Sequence, residues 1–139
     1  MPKTLTAHSP QHFARLTFSD TTGHSAWTPN CDVYETADFL CVKMELAGIW
    51  RDDLEIILDD RLLLVRGQRK DPCRQKQQRC SFRQMEVDYG FFERRIVIPR
   101  MVDGNRVLAT FHNGFLHIEL PKTEHSDHTI VTVIIQQPT

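Results

Sequence analysis

The sequence predicts an all-β protein built as two antiparallel sheets packed face to face, and three observations carry that reading. The stretch "ATFHNGFLHIELPK" (109–122) is a hairpin turning at Asn113-Gly114, because a two-residue type I′ turn needs φ > 0 at both central positions. Alternating apolar runs of strand length recur between clusters of turn residues, and no segment shows a convincing helical period. The hairpin also demands a second layer. Phe111 meets Leu116, Ala109 meets Ile118 and Val107 meets Leu120, so one face is wholly apolar and must be covered. The other face pairs His112 with Phe115, Thr110 with His117 and Leu108 with Glu119, which tolerates water and pins the register.

Taken in order, residues 1–28 carry scattered apolar side chains (Leu5, Phe13, Leu16, Phe18, Trp27) among Thr, Ser and His without a sustained period, and read as a flexible N-terminal arm. The pattern changes after Pro29. "FLCVKMELAG" places Leu40, Val42, Met44 and Leu46 on one side of a strand and Cys41, Lys43 and Glu45 on the other, ending at Gly48. In "DDLEIILDDRLLLVRGQR", pairing Leu58 with Leu63 and Ile56 with Val65 puts these residues and Leu54 on one face. A polar loop around Asp59, Asp60 and Arg61, longer than the turn of the first hairpin, is expected between them. "FFERRIVIP" supplies another strand, stopped by Pro99, and Asp103-Gly104-Asn105 turns the chain into the 109–122 hairpin. The sandwich therefore spans 29–122, followed by a short C-terminal extension over 123–139.

Two segments fall outside this plan. Between Arg66 and Arg83 the basic residues Arg69, Lys70, Arg74, Lys76 and Arg79 and many glutamines make a loop too polar for a core and longer than a hairpin needs. At the other end "IVTVII" (130–135) is an apolar, strand-like run that arrives after the hairpin sheet is complete, and such an end requires a partner edge or groove.

A chain of 139 residues holds one domain with short tails. With 17 Lys and Arg against 18 Asp and Glu, its net charge of −1 attracts neither nucleic acid nor an anionic membrane. The basic loop offers only Phe82 as a stacking surface and is read as a solvated, charge-protected edge. Cys31, Cys41, Cys73 and Cys80 form no C-x-x-C pair, which favours a reducing compartment. No signal peptide or membrane-spanning run is visible, and a soluble, cytoplasmic protein is expected.

Catalytic and cofactor chemistry find no support. The histidines lie apart, at 8, 12, 112, 117, 125 and 128 among other positions, and none has zinc-site spacing with a cysteine pair. Asp52-Asp53 and Asp59-Asp60 sit at turns, where Asp serves the backbone. No nucleotide-binding or familiar hydrolase motif occurs. The expectation is no enzyme, no metal and no cofactor.

The motifs in their order resemble the small heat shock protein family, the α-crystallin-domain chaperones of bacterial and plant type. The resemblance rests on "LAG" (46–48), on Leu63, Val65 and Gly67, on "YGFFERRIVIP" (89–99) with Val102-Asp103, and on "ATFHNGFLHIELPK". It covers about residues 27–135. It implies an immunoglobulin-like antiparallel β-sandwich, the α-crystallin domain, between the arm and the extension. It further implies an ATP-independent holdase that binds non-native client proteins and assembles from dimers into a homo-oligomer, with no nucleic-acid or membrane partner.

By the same resemblance the long loop, Cys73 to Met85, crosses to a partner subunit and pairs near Trp27 to Thr36. That gives a dimer interface of Trp27, Asp32, Val33, Tyr34, Cys80, Phe82 and Arg94. The family's C-terminal I-x-I motif docks into a groove on a neighbouring subunit. Here it matches Val131-Thr132-Val133 or Val133-Ile134-Ile135, so Val131, Val133 and Ile135 form the docking motif. The groove is Leu54, Ile56, Leu58, Val107, Ala109 and Phe111. Client binding falls to Phe13, Leu16 and Phe18 in the arm. The alternative is a sandwich adaptor or co-chaperone that stays monomeric and binds one specific folded partner.

Overall fold

The computed structural model describes residues 5–7, 26–75, 79–125 and 130–136. Ten strands follow one another: β1 (Leu5–Ala7), β2 (Cys31–Glu35), β3 (Phe39–Glu45), β4 (Leu54–Asp59), β5 (Leu62–Arg69), β6 (Gly90–Val97), β7 (Leu108–His112), β8 (Phe115–Pro121), β9 (Ile130–Val133) and β10 (Ile135–Gln136). They form two sheets, ordered β1-β9-β4-β5-β6 and β10-β7-β8-β3-β2. Among the described residues, helical geometry is confined to the turn Pro72–Gln75 and two 3₁₀ turns, Arg51–Asp53 and Gly104–Arg106. No helix among the described residues is long and apolar enough to cross a membrane.

Period-two alternation builds the core between the sheets. On β3, Leu40, Val42 and Met44 are fully buried, while Lys43 and Glu45 on the other face reach solvent and Cys41 there is buried. They face Ile56, Leu58, Leu63, Val65 and Phe92 of the first sheet, and Ala109, Leu116, Ile118 and Leu120 complete the second. The 109–122 hairpin has the expected register, with His112 opposite Phe115 and Ala109 opposite Ile118, and its turn residues Asn113 and Gly114 have φ of 51° and 81°. Leu58 opposite Leu63 and Ile56 opposite Val65 also match the sequence pattern.

The β4–β5 connection is tighter than expected. Asp59 pairs with Leu62, so only Asp60 and Arg61 turn the chain, and Asp60 sits at φ 56°. Aspartate tolerates that left-handed conformation because its short side chain bonds locally to the backbone. A second difference concerns Trp27, which the sequence counts with the loose arm. It is 9% exposed, stacks at a tilt on Phe92 with centroids 5.4 Å apart, and donates from Nε1 to the Gly90 carbonyl at 2.9 Å. Ala26 N–H also bonds the Phe91 carbonyl at 2.7 Å, which ties this segment to β6 ahead of Pro29. The sheets also contain one parallel pair, β10 with β7, because the tail leaves the first sheet at Val133 and enters the second at Ile135.

Candidate interaction surfaces: a filled groove, an open edge and a long loop

The groove named from the sequence lies between β4 and the segment leading through β7. Ile56, Val107 and Ala109 are fully buried and Leu58 nearly so, with Leu54 and Phe111 partly buried against the same core. The chain's own tail fills it. Val131 stands opposite Leu58 and Val133 opposite Ile56 in an antiparallel ladder, and Ile135 stands opposite Ala109 in a parallel one. The three side chains at alternate positions are 2%, 3% and 8% exposed, whereas the intervening Ile134 is 45% exposed. Val131, Val133 and Ile135 thus lie in one register that reaches both sheets. A neighbouring subunit is the expected host, but in the single chain the motif occupies the groove of its own subunit.

The opposite side of the second sheet ends at β2, whose residues beyond Cys31 are exposed. Val33 is 45% and Tyr34 44% exposed on this outermost strand, with Asp32 between Cys31 and Val33 also exposed. Tyr34 is fixed by a 2.8 Å hydrogen bond between its Oη and His117 Nε2. Where β2 ends, Glu35 Oε1 accepts from Arg100 Nε at 2.6 Å and Lys122 Nζ at 2.9 Å, and these bonds hold its carboxyl below the usual range. Arg94 donates from Nη1 to the Pro29 carbonyl at 3.0 Å, tying β6 to the segment that feeds β2. Burial pushes the Cys31 thiol up, with Arg94 opposing, and also raises that of Cys41.

The third surface is the loop between β5 and β6. The β5–β6 ladder ends where Arg69 pairs with Gly90, and the described residues between them lie outside it. Its base is clamped by Arg69, which donates to the carbonyls of Ala47 and Asp88, both at 2.9 Å, and lies 4.0 Å over the Trp27 ring. Further out, Phe82, Met85 and Val87 are all more than half exposed. No strand is present among the loop's described residues. Cys73 and Cys80 are joined in a disulfide with Cα atoms 6.5 Å apart, a pairing that the sequence reading did not anticipate. A spacing of seven residues is not a motif, and the only warning is the presence of two cysteines in one loop. Cys80 and Phe82 both lie exposed on this loop. Phe13, Leu16 and Phe18 lie outside the described residues.

Among the described residues no group of His, Cys, Asp and Glu is placed to hold a metal. Asp52 and Asp53 form the 3₁₀ turn before β4, and Asp53 Oδ1 meets Lys70 Nζ at 3.2 Å.

Together these features define an immunoglobulin-like β-sandwich that accepts added strands at its margins. Residues 32–136 match the Hsp20/alpha crystallin family, and the chain belongs to it. It is similar to heat shock protein 16 of Schizosaccharomyces pombe, 36% identical over 103 residues that cover 71% of this chain and 69% of that protein. It is also similar to small heat shock protein C2 of Rickettsia felis, 33% identical over 96 residues, where the match spans 69% of this chain but 61% of the relative. The solved structure of heat shock protein 16.0 from S. pombe aligns with a TM-score of 0.67 at 33% identity, covering 73% of this chain and 92% of that one. For hspA of Xanthomonas axonopodis the TM-score is 0.61 at 32% identity, covering 69% and 94%.

Proposed function

We propose that the protein is an ATP-independent holdase of the cytoplasm that captures non-native clients and works as a homo-oligomer built from dimers, without catalysis or cofactor. The observation that carries this reading is the apolar groove filled by a strand of the chain's own tail. Burying Val131, Val133 and Ile135 contributes about 2 kcal/mol each. Ordering the tail costs about 1 kcal/mol per residue, a total of similar size, so the docked strand is exchangeable. A released tail opens an apolar site that accepts extended backbone, which is what unfolding chains present. The released tail is also free to seat in a second subunit.

Dimer formation on this reading uses the open β2 edge with Asp32, Val33 and Tyr34, met by the Cys80–Phe82 part of a partner's loop, while Trp27 and Arg94 brace the edge from beneath. Phe13, Leu16 and Phe18 supply apolar contacts to clients. Family membership, the exposed β2 edge and the apolar loop residues support this arrangement. The test is to heat an aggregation-prone client with and without the protein and without nucleotide. Suppressed light scattering is expected, together with a sedimentation profile that shrinks to dimers when residues 129–139 are deleted. A monomer that leaves scattering unchanged and binds one folded partner stoichiometrically supports the adaptor reading instead.

A further inference from the structure

Ile57, Leu64 and Arg66 are 1%, 1% and 2% exposed, although the pleat turns all three away from the core. Their neighbours Ile56, Leu58, Leu63 and Val65 belong to the core cluster and face the second sheet; Ile57 and Leu64 do not belong to it. The second sheet packs on the inner face, so it does not cover them. Ile57 and Leu64 are paired across β4 and β5, with Thr132 of β9 beside Ile57, and the buried Thr132 hydroxyl has no hydrogen-bond partner among the described residues. Next along, Arg66 bridges β4 and β6 through Glu55 at 3.2 Å and Glu93 at 3.5 Å.

The chain's own connectivity limits what can reach that face. At one end β1 pairs on the far side of β9, with Ala7 level with Val131 and hence with Leu58. At the other end Ala26 bonds Phe91 on β6, which is level with Gln68. The stretch 8–25 joins these opposite margins and opposite ends of the first sheet. The distance across is about five strand spacings of 4.8 Å, roughly 24 Å, well within the ~60 Å that this stretch can reach.

A straight path from Ala7 to Ala26 runs diagonally over Ile57, Leu64 and Arg66. The two corners off that diagonal are open. At one, Val97 is 73% exposed and the Arg95 side chain 60% exposed; at the other, Ile134 is 45% exposed beside a cleft of about 630 Å³ lined by Asp53, Lys70 and Ile135. Burial on this face therefore follows the diagonal.

We propose that the outer face of the first sheet, centred on Ile57 and Leu64, is an intramolecular docking surface whose occupant is the stretch 8–25 of the same chain. Its Phe13, Leu16 and Phe18 supply the apolar side chains that such a face takes up. This inference does not depend on chaperone activity; it says that the arm has a resting seat on its own sandwich, which any client or neighbour must compete with.

The test replaces Leu16 with the photoreactive p-benzoylphenylalanine in the full chain. ¹⁵N-labelled and unlabelled protein are mixed before irradiation, and the adducts are mapped by mass spectrometry. Adducts within one chain to the peptide containing Ile57 and Leu64 are expected. Adducts only between labelled and unlabelled chains would assign the face to a second copy, and adducts to the β2 edge or the tail groove would place the arm elsewhere; either overturns the proposal. In parallel, Ile57→Asp should make tryptic cleavage after Arg15 about tenfold faster or more, the population change that loss of one buried aliphatic contact brings. Val97→Asp, at the open corner, should leave that rate unchanged. Equal rates in both variants and the parent would also overturn the proposal.

Discussion

Val133 stands opposite Ile56 in the β4–β9 ladder, and both side chains are buried on the inner face although they are far apart in sequence. The pair is the centre of tail docking, flanked by Val131 on Leu58 and Ile135 on Ala109. Val133→Asp places a charge on the apolar inner face against Ile56, so the tail is expected to leave its groove while the sandwich persists. Hydrogen exchange checks this. Protection should vanish over 130–136 and weaken on the β4 edge, while the β3–β8 ladder keeps its protection. Uniform loss across both sheets would mean that the tail is an integral part of the fold rather than an exchangeable strand.

Gly67 marks a second close approach. A methyl group built there collides with the Asp53 carbonyl oxygen and lies 3.0 Å from both Leu54 Cδ2 and Phe92 Cε2. Backbone cannot yield as a flexible side chain does, so Gly67→Ala should destabilise the domain by about 1–3 kcal/mol. Gly104→Ala is the control, since its nearest neighbours are Val131 Cγ2 at 3.4 Å and Leu58 Cδ2 at 3.6 Å, ordinary contact distances. Denaturant unfolding monitored by Trp27 fluorescence compares the two, and a Gly67→Ala midpoint equal to the parent's would refute the clash.

How far these features were legible depends on whether a local rule governs them. The registers of β4–β5 and β7–β8 could be read directly, because a slip by one residue would throw Ile56, Leu58, Ala109 and Ile118 to the solvent face. Asn113-Gly114 fixed one turn outright, whereas the loop at Asp60-Arg61 is placed by its polarity but not its two-residue length, because Asp, unlike Gly, does not announce a left-handed backbone. β2 has almost no buried residue and hence no alternation, so only the family resemblance indicated it. Trp27 is a single aromatic in a Thr- and Ser-rich stretch, and its burial depends on Phe92 and Arg69, long-range contacts that no window can see. The tail's strand character was plain from "IVTVII", while the identity of its groove's owner is a property of three dimensions.

The Cys73–Cys80 disulfide should be visible chemically. Arg74, Lys76 and Arg79 lie inside the ring by sequence, so trypsin that cuts there leaves the two sides of the loop covalently joined. On non-reducing gels the nicked chain should run as one piece through this link, and a dithiol reductant should separate it into two. Without reductant, only Cys31 and Cys41 should remain as free thiols, and burial, which raises both, should make their alkylation slow at neutral pH. Four rapidly alkylated thiols in the untreated protein would show the link to be absent.

Glu35 provides the pH prediction. Its carboxylate accepts hydrogen bonds from Lys122 and Arg100, and those bonds lower its titration relative to an ordinary glutamate. A carboxyl whose folded value is depressed contributes its stabilisation fully above the unfolded value and loses it as pH falls through the folded one. The bracing of the end of β2 by Lys122, which also donates to the Thr36 carbonyl at 2.8 Å, should therefore weaken only in acid, below the ordinary glutamate range. Carbon-detected NMR of the Glu35 carboxyl should show a midpoint below the ordinary glutamate range. In Lys122→Met the midpoint should move upward, since the donor that lowers it most is gone, with Arg100 retaining part of the shift. A Glu35 midpoint indifferent to both Lys122→Met and Arg100→Gln would remove the physical basis of the brace.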